Sequence, residues 1–262
     1  MRARTNGIEI NYVVEGEGPW LVMSHSLACN IGMWDPQAPA LAKRFKVLRF
    51  DTRGHGASDA PAGDYSLDML ADDVKGLFDH LGIRECHWVG LSMGGMIGQT
   101  FALKYPGIFK SITLCDTAAR YPDGAAELWA GRVKVAREQG MEALVPPTLE
   151  RWFTEGFRKS QPAKVLRIAD SIRQTPVNGY AGCCAALPKI NTLDRLKDIK
   201  CPALVICGEQ DMGTPLAMSQ AIHAAMPGST LAVLPDAAHI SNVEQPERFS
   251  AALDPFLAKV AA

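Results

Sequence analysis

Short apolar runs alternate along the chain with longer segments in which apolar residues recur every three or four positions. The short β-branched or apolar runs predict buried strands, and the longer pattern predicts amphipathic helices. Their alternation favours an α/β fold, a mostly parallel twisted sheet with helices on both faces. The predicted strands cover residues 8–14, 20–24, 46–50, 86–90, 111–115, 203–207 and 230–234.

The clearest predicted helix follows Tyr65. Ser66 is a residue type suited to cap its N-terminus, and Gly82 is suited to end it. One apolar face is predicted along this helix, formed by Leu67, Leu70, Val74, Leu77, Phe78 and Leu81. Three further helical patterns follow Met93, Pro215 and Pro246.

The strand pattern disappears between residues 118 and 192, where Ala, Arg, Glu, Trp and Phe are frequent. Prolines at 146, 147 and 162 divide this stretch into helical pieces. A helical insertion between two strands of one sheet predicts a lid over the carboxyl ends of the strands, the edge at which open α/β sheets bind ligands. We therefore expect a core of residues 1–117 and 193–262 and a helical lid of residues 118–192.

Composition narrows the functional classes. Of 262 residues, 47% are hydrophobic and 21% charged, and the net charge is −1, so neither nucleic acid nor an anionic membrane is an expected partner. There is no secretory signal pattern and no run long enough to span a bilayer, which favours a cytoplasmic protein. The seven cysteines have spacings that suit neither a zinc site nor a redox pair, so reduced, mostly buried thiols are expected.

Residues 90–94 read Gly-Leu-Ser-Met-Gly, after an apolar run and before a helical pattern. This strand–turn–helix context is typical of a nucleophile elbow, in which small residues leave room for a strained serine. Such a turn raises the Ser92 hydroxyl above the sheet. It also directs the Met93 amide and the positive end of the following helix to the same point.

A nucleophilic serine needs a general base. When a strand–turn–helix carries the serine, the base is expected last in the chain order Ser, Asp or Glu, His. His239 lies in a loop just after the last predicted strand and is the favoured base. His25 and His55 lie in loops on the same side of the sheet and remain its rivals.

The base needs an acid to orient it. Asp211 lies in a loop directly after a predicted strand and is the favoured acid. Asp116 also ends a strand and is an alternative. Glu209 lies nearer its strand and is less suited to reach the base.

An oxyanion hole needs a second amide from the loop after strand 20–24. Residues 25–28 read His-Ser-Leu-Ala, so Leu27 would supply this N–H beside that of Met93. Losing one such donor typically costs about 3–4 kcal/mol of barrier. Ser26 has less backbone freedom than the glycine that many hydrolases carry at its position.

These features together resemble the α/β-hydrolase fold, and longer segments resemble the 3-oxoadipate enol-lactonases. The similarity spans nearly the whole chain, lid included. The resemblance implies hydrolysis of a five-membered enol-lactone that bears a carboxylate, without metal or organic cofactor, in bacterial breakdown of aromatic acids. The segments that carry it are 33–37, 51–59, 90–98, 114–120, 180–186 and 239–246.

The chain departs from this family at two places. The family usually has Asn-Ser-Leu-Gly at residues 25–28. It also usually has Asn at position 116, where Asp116 in this chain adds a possible charge near Ser92, His239 and Asp211. A carboxylate-bearing substrate also needs a cation in the lid. Trp129 and Arg132, three apart on a predicted helix, share one face and could present an apolar wall and a guanidinium group. The alternative for Arg132 is a solvated surface arginine.

The sequence thus predicts a carboxylic-ester hydrolase that forms an acyl-enzyme on Ser92, with 3-oxoadipate enol-lactone as the leading substrate. One alternative is an esterase or lactonase for another small, neutral substrate. A second alternative is a ligand-binding protein that retains the hydrolase fold.

Overall fold

The fold is built on one mixed sheet in a computed structural model that describes residues 1–261. Its strands, in chain order, are β1 (Arg2–Thr5), β2 (Ile8–Glu15), β3 (Trp20–Ser24), β4 (Lys46–Phe50), β5 (Cys86–Leu91), β6 (Phe109–Cys115), β7 (Ala203–Gly208) and β8 (Thr230–Leu234). Their order in the sheet is β1-β2-β4-β3-β5-β6-β7-β8.

The sheet is antiparallel at one edge and parallel elsewhere. Strand β2 pairs antiparallel with both β1 and β4, and the pairs from β4 through β8 are parallel. Every residue of β5 and of β7 is buried. Because successive side chains point to opposite faces, both faces of the sheet must be covered at these strands. The predicted α/β architecture is confirmed.

All seven predicted strands are present, but the prediction was one strand short. Strand β1 pairs with β2 through a two-residue loop, Asn6 and Gly7, with φ of 46° and 81°. Positive φ at both loop residues is the geometry that Asn-Gly favours in a tight hairpin. This dipeptide was the signal that could have revealed β1.

The α-helices cover the sheet and fill the insertion. Within residues 1–261 they are α1 (Ala38–Leu41), α2 (Leu67–Leu81), α3 (Met93–Lys104), α4 (Ala125–Gln139), α5 (Val145–Trp152), α6 (Glu155–Ser160), α7 (Pro162–Gln174), α8 (Val177–Ala186), α9 (Leu216–Ala225), α10 (Ser241–Glu244) and α11 (Pro246–Val260). The helices predicted after residues 93, 215 and 246 correspond to α3, α9 and α11.

Helix α2 has the predicted ends. The Ser66 side chain accepts a hydrogen bond from the Met69 amide, and Gly82 ends the helix in the left-handed conformation. The buried face also carries Asp73, whose carboxylate accepts hydrogen bonds from Arg53 Nε and Nη2 at 2.7 and 2.6 Å. This pair anchors the loop after β4.

The segment between β6 and β7 contains helices α4 to α8 and no strand of the sheet. These prolines lie at the beginnings of helices: Pro146 and Pro147 are in the first turn of α5, and Pro162 is the first residue of α7. The two ends of the segment are joined, since the Thr192 amide donates to the Ala119 carbonyl at 2.9 Å. The division into a core and a lid remains a prediction.

Across residues 1–261, no helix is long and apolar enough to cross a membrane, and no cluster of His, Cys, Asp or Glu is arranged to hold a metal ion. The seven cysteines are free thiols, and six of them are buried.

Candidate active site

Ser92 lies at the turn between β5 and α3 with φ of 54° and ψ of −113°, a strained conformation for a residue other than glycine. The flanking glycines make this turn possible. A Cβ on Gly90 would lie 2.3 Å from the Gly94 carbonyl oxygen, and a Cβ on Gly94 would lie 2.2 Å from that of Ser24. Larger residues at these two positions would collide with backbone, so the strand–turn–helix geometry predicted for residues 90–94 is present.

Hydrogen bonds to β6 and to the loop after it hold Ser92 in this conformation. Its amide donates to the Cys115 carbonyl at 2.8 Å, and its carbonyl accepts from Thr117 Oγ1 at 2.7 Å. The side chain is therefore presented by a rigid backbone, as a reacting group requires.

The structure brings Ser92, His239 and Asp211 together from three loops. Ser92 Oγ lies 2.9 Å from His239 Nε2, and His239 Nδ1 lies 3.0 and 2.9 Å from the two carboxylate oxygens of Asp211. All three residues are buried. This continuous hydrogen-bonded chain is the arrangement that lets a histidine accept a proton from a serine.

Asp211 is held by groups close to it in the chain. The amides of Gly213 and Thr214 donate to Oδ1, and the Thr214 hydroxyl donates to Oδ2 at 2.7 Å. Burial alone would raise the pKa of Asp211, but the positive charge available on His239 and these hydrogen bonds lower it overall. Asp211 is therefore held as a carboxylate facing the imidazole.

Asp116, the alternative acid, makes a different set of contacts. Its Oδ1 accepts from the Gly208 amide at 2.7 Å, and its Oδ2 lies 2.5 Å from Ser241 Oγ. Burial and the nearby charge of Asp211 raise the pKa of Asp116 well above its usual range. The expected extra charge near the triad is thus disfavoured, because a low-dielectric site beside another carboxylate stabilises the neutral acid.

The rival histidines, His25 and His55, form hydrogen bonds with the backbone of the loop after β3. His25 Nδ1 donates to the Ser26 carbonyl at 2.7 Å, and its Nε2 accepts from the Thr52 amide. His55 Nε2 accepts from the Ala28 amide at 2.9 Å. Both rings use Nε2 as an acceptor, so both are neutral, and burial lowers their pKa values to about 4 and about 3.

The loop after β3 offers the amide expected for an oxyanion site. Within residues 1–261 the Leu27 and Met93 amides have no hydrogen-bond acceptor, and Met93 is the first residue of α3. The positive φ in this loop, 56°, falls on Ala28 and not on Ser26. Backbone freedom is therefore needed at Ala28, the position at which the 3-oxoadipate enol-lactonases usually have glycine.

A pocket opens beside the Ser92 hydroxyl. Trp129 and Arg132 both line it, and Arg132 Cζ lies 4.5 Å from the centre of the Trp129 ring. The cavity volume is about 40 Å³, small beside the roughly 300–1,000 Å³ of pockets for drug-sized ligands. The lining residues are Ser26, Leu27, Ala28, Ser92, Tyr121, Trp129, Arg132, Leu144, Thr148, Arg151, Trp152, Ile172, Tyr180, Gly213, Thr214 and His239.

Sequence reasoning missed several residues of this pocket. Arg151 on α5 is a second guanidinium in the same lining as Arg132. The Trp152 ring packs beside the His239 ring, with centroids 5.9 Å apart. No local motif marks these residues, because only the tertiary packing of α5 brings them to Ser92.

Comparison with known proteins agrees with this geometry. The family described as alpha/beta hydrolase fold matches residues 19–246. The chain is 39% identical over 249 residues to 3-oxoadipate enol-lactonase 2 of Acinetobacter baylyi, covering 94% of this chain and 92% of that protein.

Two solved structures extend the comparison. The enol-lactonase of Burkholderia xenovorans LB400 has a TM-score of 0.95 at 40% identity, covering 98% of this chain and 100% of that one. A thermophilic esterase from Thermogutta terrifontis, with malate bound, has a TM-score of 0.96 at 30% identity, covering 100% of both chains. The predicted resemblance is confirmed, and the chain belongs to the α/β-hydrolase family.

Proposed function

We propose that this protein is a serine hydrolase that cleaves a small carboxylic ester or lactone through an acyl-enzyme on Ser92. The observation that carries the proposal is the hydrogen-bonded chain from Ser92 through His239 to Asp211 at the wall of a small pocket. A buried carboxylate, imidazole and hydroxyl in this order are the parts that acyl transfer requires.

In the first half of the reaction, Ser92 Oγ attacks the substrate carbonyl carbon while His239 Nε2 takes its proton. The amides of Leu27 and Met93 donate to the oxyanion that forms, which is the largest electrostatic contribution in reactions of this kind. The carbonyl carbon–oxygen single bond then breaks. The leaving oxygen takes from His239 Nε2 the proton that came from Ser92, and in an enol-lactone the enol so formed rearranges to a ketone.

In the second half, water donates a proton to His239 Nε2 as its oxygen attacks the acyl carbon. The bond to Ser92 Oγ breaks, the proton passes from His239 back to Ser92, and the carboxylic acid leaves. Asp211 holds the proton of His239 on Nδ1 throughout, so that Nε2 stays free to accept.

We further propose that the substrate carries a carboxylate and that 3-oxoadipate enol-lactone is the leading candidate. Three observations support this substrate class. The relatives named as enol-lactonases share about 40% identity with nearly the whole chain. Arg132 lines the pocket beside Trp129. The similar esterase structure holds malate, a dicarboxylate. This activity would belong to bacterial breakdown of aromatic acids.

Parallel measurement of two substrates tests the proposal. We expect freshly generated 3-oxoadipate enol-lactone to be hydrolysed with kcat/KM above about 10⁴ M⁻¹s⁻¹, and p-nitrophenyl acetate much more slowly. Fast ester turnover with no lactone turnover would retain the serine mechanism and reject the substrate. It would favour a neutral ester and point to the altered loop at His25 and Ala28. No turnover of either, with purified folded protein, would favour a ligand-binding role.

A further inference from the structure

The pocket contains two guanidinium groups from two different helices. Arg132 lies on α4 and Arg151 on α5, and both side chains are half-buried in the same lining. Arg151 Nη2 makes one weak hydrogen bond, to Thr148 Oγ1 at 3.3 Å. Arg132 rests on the face of Trp129. The hydrogen bond and the ring contact made by these two cations are thus with neutral side chains.

Within residues 1–261 neither arginine forms an ion pair, and no Asp or Glu lines the pocket. Elsewhere the chain pairs its buried arginines. Arg53 is paired with Asp73, and Arg49 is paired with both Glu15 and Asp35. The two buried arginines are thus paired with carboxylates, whereas the two half-buried arginines of the pocket are not.

Two like charges that share a half-buried pocket repel each other. Burial and then the charge of Arg132 lower the pKa of Arg151, and the smaller opposing effects of Tyr180 and Glu150 do not offset them. An anion between the two groups would remove this repulsion. A carboxylate fits best, since a guanidinium group binds it through two parallel hydrogen bonds.

We infer that Arg151 is a second specificity-determining residue and that the pocket binds the carboxylate of its substrate between Arg132 on α4 and Arg151 on α5. This inference rests on the proposed function, because it assigns the substrate class of the same site. The bound carboxylate would then bridge α4 and α5, two helices of the segment between β6 and β7.

Kinetics of Arg151→Gln test the inference. We expect KM for 3-oxoadipate enol-lactone to rise about 10- to 100-fold, with kcat changed less than about threefold and p-nitrophenyl acetate hydrolysis unaffected. Arg151→Lys keeps the charge and should recover part of the affinity but not all of it. Arg137→Gln is the matched control, since Arg137 lies exposed on α4 outside this pocket.

An equal loss of kcat/KM for the anionic and the neutral substrate in Arg151→Gln would mean that Arg151 only supports the fold. This result would overturn the inference. Unchanged kinetics for both substrates would overturn it as well. If Arg151→Gln does not fold, Arg151→Lys serves in its place: an unchanged KM for the lactone would then count against bidentate binding.

A binding measurement separates this inference from the proposed function. Calorimetric titration of adipate, a dicarboxylate, into Ser92→Ala should show binding that weakens at least 10-fold in Ser92→Ala/Arg151→Gln. Loss of hydrolysis in Ser92→Ala with equal adipate affinity in the two proteins would retain the serine mechanism and reject the role of Arg151. Full hydrolysis by Ser92→Ala would reject the proposed mechanism, while the difference in adipate affinity would still support Arg151.

Discussion

The imidazole ring of His239 rests directly on the backbone of Gly213. A Cβ built on Gly213 would lie 2.9 Å from His239 Nδ1 and 3.1 Å from Cε1 and Cγ. The ring also hydrogen-bonds to Ser92 and Asp211, so it cannot move away from Gly213 without disturbing these hydrogen bonds. Gly213 is therefore required by the position of the His239 ring and not by its own backbone conformation.

Gly213→Ala should displace the His239 ring and lower kcat at least 10-fold, since small misplacements of a catalytic group are costly. Steady-state kinetics on either substrate measure this effect. Gly131→Ala is the control, because a Cβ on Gly131, on α4, meets no atom within 4 Å. That change should leave kcat intact and stabilise the helix by up to about 1 kcal/mol. Normal kcat in Gly213→Ala would contradict the tight fit.

Asp211 and Asp116, both buried, should respond differently to replacement by asparagine. Asp211→Asn would place an N–H donor against His239 Nδ1 and favour the wrong tautomer, so kcat should fall about 10³- to 10⁴-fold. Asp116→Asn should change kcat less than about threefold, because Asp116 contacts Gly208 and Ser241 and not the imidazole. A larger loss in Asp116→Asn than in Asp211→Asn would make Asp116 the orienting acid.

Asp116 should also shape the pH dependence of stability. The pKa of its carboxyl is raised on folding, so the folded state retains a proton that the unfolded chain loses near pH 3.9. Stability from this group is therefore lost as pH rises above about 3.9 toward the raised value, by at most about 1.4 kcal/mol per pH unit. Asp116→Asn removes this loss. In urea unfolding, the free energy of unfolding of Asp116→Asn should exceed that of the wild type by an amount that grows with pH. A difference that stays constant with pH would contradict the raised pKa.

His25 should make the fold sensitive to acid. Burial lowers the pKa of His25 to about 4, below its ordinary value near 6.5, so the unfolded chain binds the proton first. Stability should therefore fall as pH drops from about 6.5 toward 4. His25→Asn should reduce that slope, and exposed His80→Asn should not. An unchanged slope in His25→Asn would show that this imidazole does not resist protonation.

The sequence predicted those elements whose signal is local. Apolar runs marked seven strands, and Ser66 and Gly82 marked the ends of α2. Small residues around Ser92 marked the turn, because a backbone collision forbids larger ones there. Strand β1 was missed because it is a short edge strand of alternating exposed and buried residues with little apolar pattern of its own.

The pocket was less predictable, because its residues come together only by tertiary packing. Arg132 was suggested by its spacing from Trp129 on one helix face. Arg151 lies on another helix, 19 positions along, and nothing in its neighbours marks it as a ligand-facing residue. The neutral state favoured for Asp116 could not be predicted from the sequence either, because it depends on burial and on the carboxylate of Asp211, which is distant in sequence.

Ser92 is the proposed nucleophile, and labelling with a serine-directed fluorophosphonate tests this role most directly. We expect mass spectrometry of the intact protein to show one adduct per chain, located on Ser92 by peptide mapping. The adduct should disappear in Ser92→Ala and form much more slowly in His239→Ala, because the hydroxyl then lacks its base. A folded wild-type protein that forms no adduct, or a Ser92→Ala variant that is labelled as fast as the wild type, would contradict the account.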